Sequence, residues 1–208
     1  MADVFPFATF PVAALRWQLL GATISGGPTL SGPGQVARFD GGGWWGCELS
    51  GGLIRTQEER RAWHAWLLSL EDGLGLVELP YLEETPPTGT ARLSGAHALR
   101  ATTVAIERQS GWSGPLSPGM AFEIDNSSQY KRLHMIKRVV STLGSVDTVE
   151  VRPPLRQAAA DDKALNFTTP KCLMRLDDPN GDAWPKLNGN WNGDWSTRFV
   201  EAFPPPPV

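Results

Sequence analysis

Residues 119–152 read GMAFEIDNSSQYKRLHMIKRVVSTLGSVDTVEVR, and this stretch decides the fold class. Gly119–Ile124 is short and apolar, Asp125-Asn126-Ser127-Ser128 is a run of turn formers, and Tyr130–Val140 follows as a longer mixed segment. Extended runs bounded by side chains that satisfy the backbone locally read as a hairpin. A second hairpin pairs the end of that strand with Thr148–Arg152 across Gly144. Successive side chains of a strand alternate, so Glu150 and Arg152 face one way and Val149 and Val151 the other. Pro153-Pro154 ends the run, because proline cannot donate to a ladder.

Short runs of the same kind recur on both sides. In Ala14–Gly21, Leu15, Trp17 and Leu19 alternate with Arg16 and Gln18. Gln35–Asp40 and Trp44–Leu49 read as two strands joined through Gly41-Gly42-Gly43. Leu74–Leu79, Thr102–Glu107, Ala164–Phe167, Cys172–Leu176 and Trp195–Phe203 complete about ten strands. Gly21–Gly34, Leu82–Thr90 and Gly111–Gly119 read as loops. With 22 Gly and 18 Pro among 208 residues, turns are frequent enough to punctuate that many strands and to exclude a helical bundle.

One segment breaks the pattern. Thr56-Gln57-Glu58-Glu59 is a capping box, and Trp63, Trp66, Leu67 and Leu70 then recur on one helical face. The spacing predicts a helix over 57–72, packed on the sheet through those four residues and stopped near Gly73. No linker divides the chain, so 1–208 reads as a single domain: mainly β, an antiparallel barrel or sandwich with one flanking helix and long loops. Its outliers are an apolar extended N-terminal arm (1–13), a polar Gly/Asn-rich excursion (177–194) and a polyproline tail (204–208).

Charge and chemistry narrow the function. The net charge of −3 and the short basic clusters, Arg60-Arg61, Lys131-Arg132 and Lys137-Arg138, argue against a phosphate-gripping nucleic-acid binder. Cys47 and Cys172 stand 125 positions apart and read as reduced, buried thiols. Met1–Pro6 shows no basic n-region, so no secretory signal is expected, and no apolar run is long enough to span a membrane. His64, His97 and His134 lack ligand partners at helical or strand spacing, and read as a solvated, a non-functional and a sheet-paired histidine. Asp161-Asp162 and Asp177-Asp178 are adjacent pairs suited to turns, not carboxylates facing across a cleft. Asp177–Asp182 loosely resembles a calcium loop but lacks its downstream Glu and flanking helices. No nucleophile elbow or phosphate-cradling loop is present. The expectation is a protein that is not an enzyme and uses no cofactor or metal.

The aromatic surplus is the remaining signal. Of nine Trp, Trp44-Trp45 straddles a strand, with one ring inward and one outward. Trp184, Trp191 and Trp195 sit among Asn, Gly and Asp. Such rings fill cores, anchor interfaces or stack on sugars. Phe5, Phe7, Phe10, Trp44, Trp45, Trp112, Trp184, Trp191 and Trp195 are the candidate subunit-interface residues.

Two stretches carry a resemblance. One is Ile54-Arg55 leading into Thr56–Leu67, then Leu70 and the Leu76–Pro80 strand. The other is Val149–Arg156 followed by Asp161–Phe167, Cys172–Leu176 and Phe199–Phe203. Their order resembles the distal tail proteins of long-tailed bacteriophages and tail-like particles. The resemblance implies a tail-tube-like barrel or sandwich, and a hexameric ring joining the tail tube to the hub and adsorption apparatus. It further implies tube, hub and tape-measure proteins as partners, and a lumen through which genomic DNA passes without specific binding. The location it implies is the virion tail tip, assembled in the bacterial cytoplasm, with no membrane partner. Other tail components (tube, hub or terminator ring), a carbohydrate-binding module contacting the host surface, and a wall hydrolase are the competing readings.

Overall fold

A computed structural model describes residues 3–6, 12–21, 23–25, 36–38, 42–51, 56–70, 75–82, 85–125, 131–177 and 196–203. Among the described residues the protein is mainly β, with antiparallel sheets and a single helix. The chain divides into two compact units, each discontinuous. Unit 1 is 1–18, 45–79 and 173–208; unit 2 is 19–44 and 80–172.

Unit 1 is built on a six-stranded sheet. Its strands are β1 (Asp3–Val4), β2 (Val12–Leu20), β5 (Trp44–Gly51), β6 (Leu76–Pro80), β13 (Lys171–Leu176) and β14 (Ser196–Glu201), in the order β1-β6-β13-β14-β5-β2. β14 runs antiparallel to both its neighbours, and β1 joins β6 in parallel. Helix α1 (Gln57–Ser69) starts where the sequence places it. The Glu59 N–H donates to Thr56 Oγ1 and the Thr56 N–H to Glu59 Oε2, both at 3.1 Å. These bonds satisfy two amides that the first turn leaves without carbonyl partners. Thr56→Ala is expected to lower stability by about 1 kcal/mol in chemical denaturation, with Thr56→Ser near the parent.

The helix ends three residues before the predicted 72. The Leu70 N–H bonds the Leu67 carbonyl, and the Gly75 N–H then takes the Leu70 carbonyl at 2.8 Å, which turns the chain away. The expected cap at Gly73 lies outside the described residues. Trp63, Leu67 and Leu70 are buried. Trp66 is half-buried and bridges the helix to the sheet, with its ring centroid 5.0 Å from Phe5, 5.1 Å from Trp63 and 6.1 Å from Phe199 of β14.

Unit 2 is a closed antiparallel barrel. Its strands are β7 (Ala91–Leu93), β8 (Thr103–Arg108), β9 (Ala121–Ile124), β10 (Leu133–Leu143), β11 (Val146–Arg152) and β12 (Ala164–Asn166), in the order β10-β11-β8-β7-β12-β9. β9 pairs with β10 to close the ring. Leu93, Val104, Ile106, Phe122, Ile136, Val149 and Val151 fill it, joined by Leu116, Leu155, Ala159 and Phe167 from the connections. Both hairpins read from residues 119–152 are present, although the 126–130 turn lies outside the described residues.

A separate two-stranded ribbon pairs β3 (Thr23–Ser25) with β4 (Val36–Arg38). This corrects two expectations. Gly21–Gly34 is not all loop, and β4 finds its ladder partner in β3 rather than in the Trp44 strand beyond the glycines. β7 was likewise not foreseen.

Candidate functional site

The barrel wall is where charge and shape converge. Along β11, Val149 and Val151 point into the core while Glu150 and Arg152 point out. Glu150 gathers three cations: Lys137 Nζ donates to Oε1 at 2.8 Å, Arg138 Nε to Oε2 at 2.7 Å, and Arg152 Nη2 to Oε1 at 2.9 Å. These hydrogen bonds, from Lys137 first and then Arg138, pull its carboxyl down to about 2 against the desolvation that opposes them. Three cations on one carboxylate leave this face with excess positive charge, and the Lys137 and Arg138 side chains remain largely exposed.

The β10–β11 hairpin is irregular for a definable reason. Ile136 pairs with Val151, but Arg138 pairs with Glu150, and Val139 pairs with Val149, but Ser141 with Thr148. β10 therefore carries two extra residues, Lys137 and Val140. Each bulge resets the alternation, so that Ile136, Val139 and Thr142 share the inward face although three residues separate them. At the far end that face turns polar. Thr142 Oγ1 donates to Asp147 Oδ1 at 2.5 Å, and Arg108 Nε lies 2.7 Å from the buried Asp147 carboxylate.

Arg108 also fixes the tip. Its Nη2 donates to the Gly144 carbonyl and its N–H to the Ser145 carbonyl, both at 2.9 Å. Leu143 faces Val146 across the two-residue turn Gly144-Ser145. Gly144 has φ +62°, the left-handed value that such hairpin turns require. The result is a braced hairpin that presents Val140, 53% exposed, and Leu143, 85% exposed.

Several other described ionisable groups are engaged in local hydrogen bonds and ion pairs. His134 is buried; its Nδ1–H donates to the Pro153 carbonyl at 3.0 Å, and its ring packs on Phe122 at 5.8 Å. His97 Nε2 accepts the Ala105 N–H. His64 is half-buried on α1, and its pKa is lowered by burial and then by Arg60. Asp161 Oδ1 accepts the N–H groups of Gly95 and Asp162, as a turn carboxylate does. Lys131 meets the buried Glu123 at 2.6 Å. Cys47 and Cys172 are free and buried, and burial followed by the charge of Glu48 pushes the Cys47 thiol up to about 12, far from a reactive thiolate. Among the described residues no three His, Cys, Asp or Glu side chains gather as a metal site. No described helix is long and apolar enough to cross a membrane.

Four of the nine candidate interface residues are among the described residues. Phe5 is buried between Trp63 and Trp66 within its own unit. Trp45 is buried, with its ring edge-on to Trp17 at 6.2 Å, and its neighbour Trp44 is 41% exposed. Trp112 is half-buried against Phe167 at 5.0 Å. Phe7, Phe10, Trp184, Trp191 and Trp195 lie outside the described residues, as do 178–194 of the polar excursion and the polyproline tail. Sequence reading weighted aromatics and passed over Val140 and Leu143. Their signal in the sequence is slight: Leu143 precedes a hairpin glycine, Gly144, and Val140 stands four positions before it. No protein-family model and no curated protein matches this chain.

Proposed function

We propose that this chain is a structural subunit of a bacteriophage tail tip, a distal-tail-type protein that closes into a ring between tail tube and hub and leaves a lumen for DNA. The observation that carries the reading is the closed six-stranded barrel of unit 2, with its braced hairpin presenting apolar side chains to solvent. The other unit carries one helix packed on a sheet. A β-barrel or sandwich with one flanking helix is what the motif resemblance implies. Arg92, Arg108, Lys131, Lys137, Arg138 and Arg152 of unit 2 are held in ion pairs, which suits a scaffold. A ring subunit needs complementary surfaces related by rotation rather than a reacting group.

Light scattering coupled to size exclusion tests this on the purified full chain. The expected result is a closed oligomer near six times the 22.6 kDa of one chain, with rings in negative-stain micrographs and the protein present in purified virions. A species that stays at one chain mass across the soluble range, and is missing from virions, overturns it.

A further inference from the structure

We infer that the outer half of the β10–β11 hairpin is the contact through which one copy grips unit 1 of the next. This deepens the ring reading and rests on it. From Lys137 onward β10 has β11 on one side and, among the described residues, no strand on the other, because β9 pairs only with Leu133–Met135. An edge of this length invites a partner. The two bulges interrupt its hydrogen-bonding repeat, so it is poorly suited to take another strand in register. Side-chain docking fits it better. Val140 and Leu143 supply apolar contacts, and Arg108 holds the turn in place before any partner arrives, which lowers the ordering cost of binding.

Charge selects the occupant. Unit 2 carries twelve basic and ten acidic residues, whereas unit 1 carries seven basic and twelve acidic. The net charge of −3 therefore conceals a polar subunit, positive in one unit and negative in the other. The exposed Lys137 and Arg138 stand beside the apolar tip, and Glu48 and Glu58 are among the exposed carboxylates of unit 1. A basic hairpin on one copy meeting an acidic unit on the next is a head-to-tail contact, the kind that closes a ring by rotation.

Sedimentation velocity on the full chain reads this out in the parent, Leu143→Glu, Val140→Glu and Lys137→Gln/Arg138→Gln. Leu143→Glu is expected to weaken self-association at least tenfold while leaving the melting temperature unchanged at concentrations where the parent is dissociated, since within one chain the side chain has no packing to lose. The double neutralisation is expected to weaken association and flatten its dependence on sodium chloride, which in the parent falls steeply between low and high salt. Rings that persist in Leu143→Glu and Val140→Glu within twofold of the parent overturn the hairpin contact while leaving the ring reading intact. Rings that persist while the variants lose a different tail protein overturn the second-copy assignment. A parent chain that never self-associates overturns both readings.

Discussion

Replacing Phe122 with alanine is expected to remove about 3–5 kcal/mol of stability, the range for truncating a large buried aromatic side chain. Phe122 is fully buried at the centre of the barrel. Its ring lies 5.2 Å from Phe167 and 5.8 Å from His134, and Phe167 in turn holds Trp112 at 5.0 Å. Truncation loses the transfer free energy of the ring and leaves a cavity. β9 and β12 cannot readily collapse into it, because the strands are hydrogen-bonded into a closed ring. Total stabilities of domains run only to about 5–15 kcal/mol, so the change takes a large share. Urea unfolding of the variant beside Leu99→Ala, an exposed leucine expected to change little, measures it. A loss below about 1 kcal/mol for Phe122→Ala would show that the barrel interior is not close-packed there.

Acid is the second large lever, and it acts through His134. Burial drives its imidazole pKa from the ordinary 6.5 to about 4; the hydrogen bond to the Pro153 carbonyl opposes this, and the charges of Arg156 and Arg132 add to it. The folded protein therefore holds His134 neutral where the unfolded chain protonates it. Its contribution is fully present above pH 6.5 and is lost as the pH falls from 6.5 towards 4, amounting to about 3 kcal/mol across that window. Glu150, at about 2, stays ionised throughout, so its three cations remain held while His134 titrates. Chemical denaturation at pH 7 and pH 4.5 in the parent and in His134→Gln isolates the effect. The variant is expected to lose less stability on acidification, and equal losses in the two proteins would rule out His134 as the source.

The parts of the fold that were legible in sequence are those whose pattern is local. Val149 and Val151 alternating with Glu150 and Arg152 declared a strand with one buried face. Thr56 and Glu59 declared the start of the helix because both halves of the capping box lie within four residues. What escaped is what depends on distant partners. β7 is three residues, Ala91–Leu93, following a Pro/Thr/Gly loop, and it is a strand because β8 and β12 flank it. β4 was matched to the wrong neighbour because Gly41-Gly42-Gly43 looks like a turn, while its true partner, β3, lies inside a Gly/Ser/Pro run. The bulges at Lys137 and Val140 leave no trace in residue type, and they decide which side chains of β10 reach solvent. The Arg108–Asp147–Thr142 cluster joins positions up to 39 apart in sequence, and only the barrel register brings them together.

The order of the unit 1 sheet bears on how the protein is made. Its six strands come from opposite ends of the chain, and β14, which separates β13 from β5, is the last described strand to leave the ribosome. Until residues 196–201 emerge, β5 and β13 have nothing between them, and α1 lacks the Phe199 surface that receives Trp66. The barrel strands all fall within 91–166 and can close earlier. Synthesis thus delivers a finished barrel before a complete sheet, and the open half-sheet exposes apolar surface until the final strand completes it, a stage at which chaperone capture and premature association compete with folding.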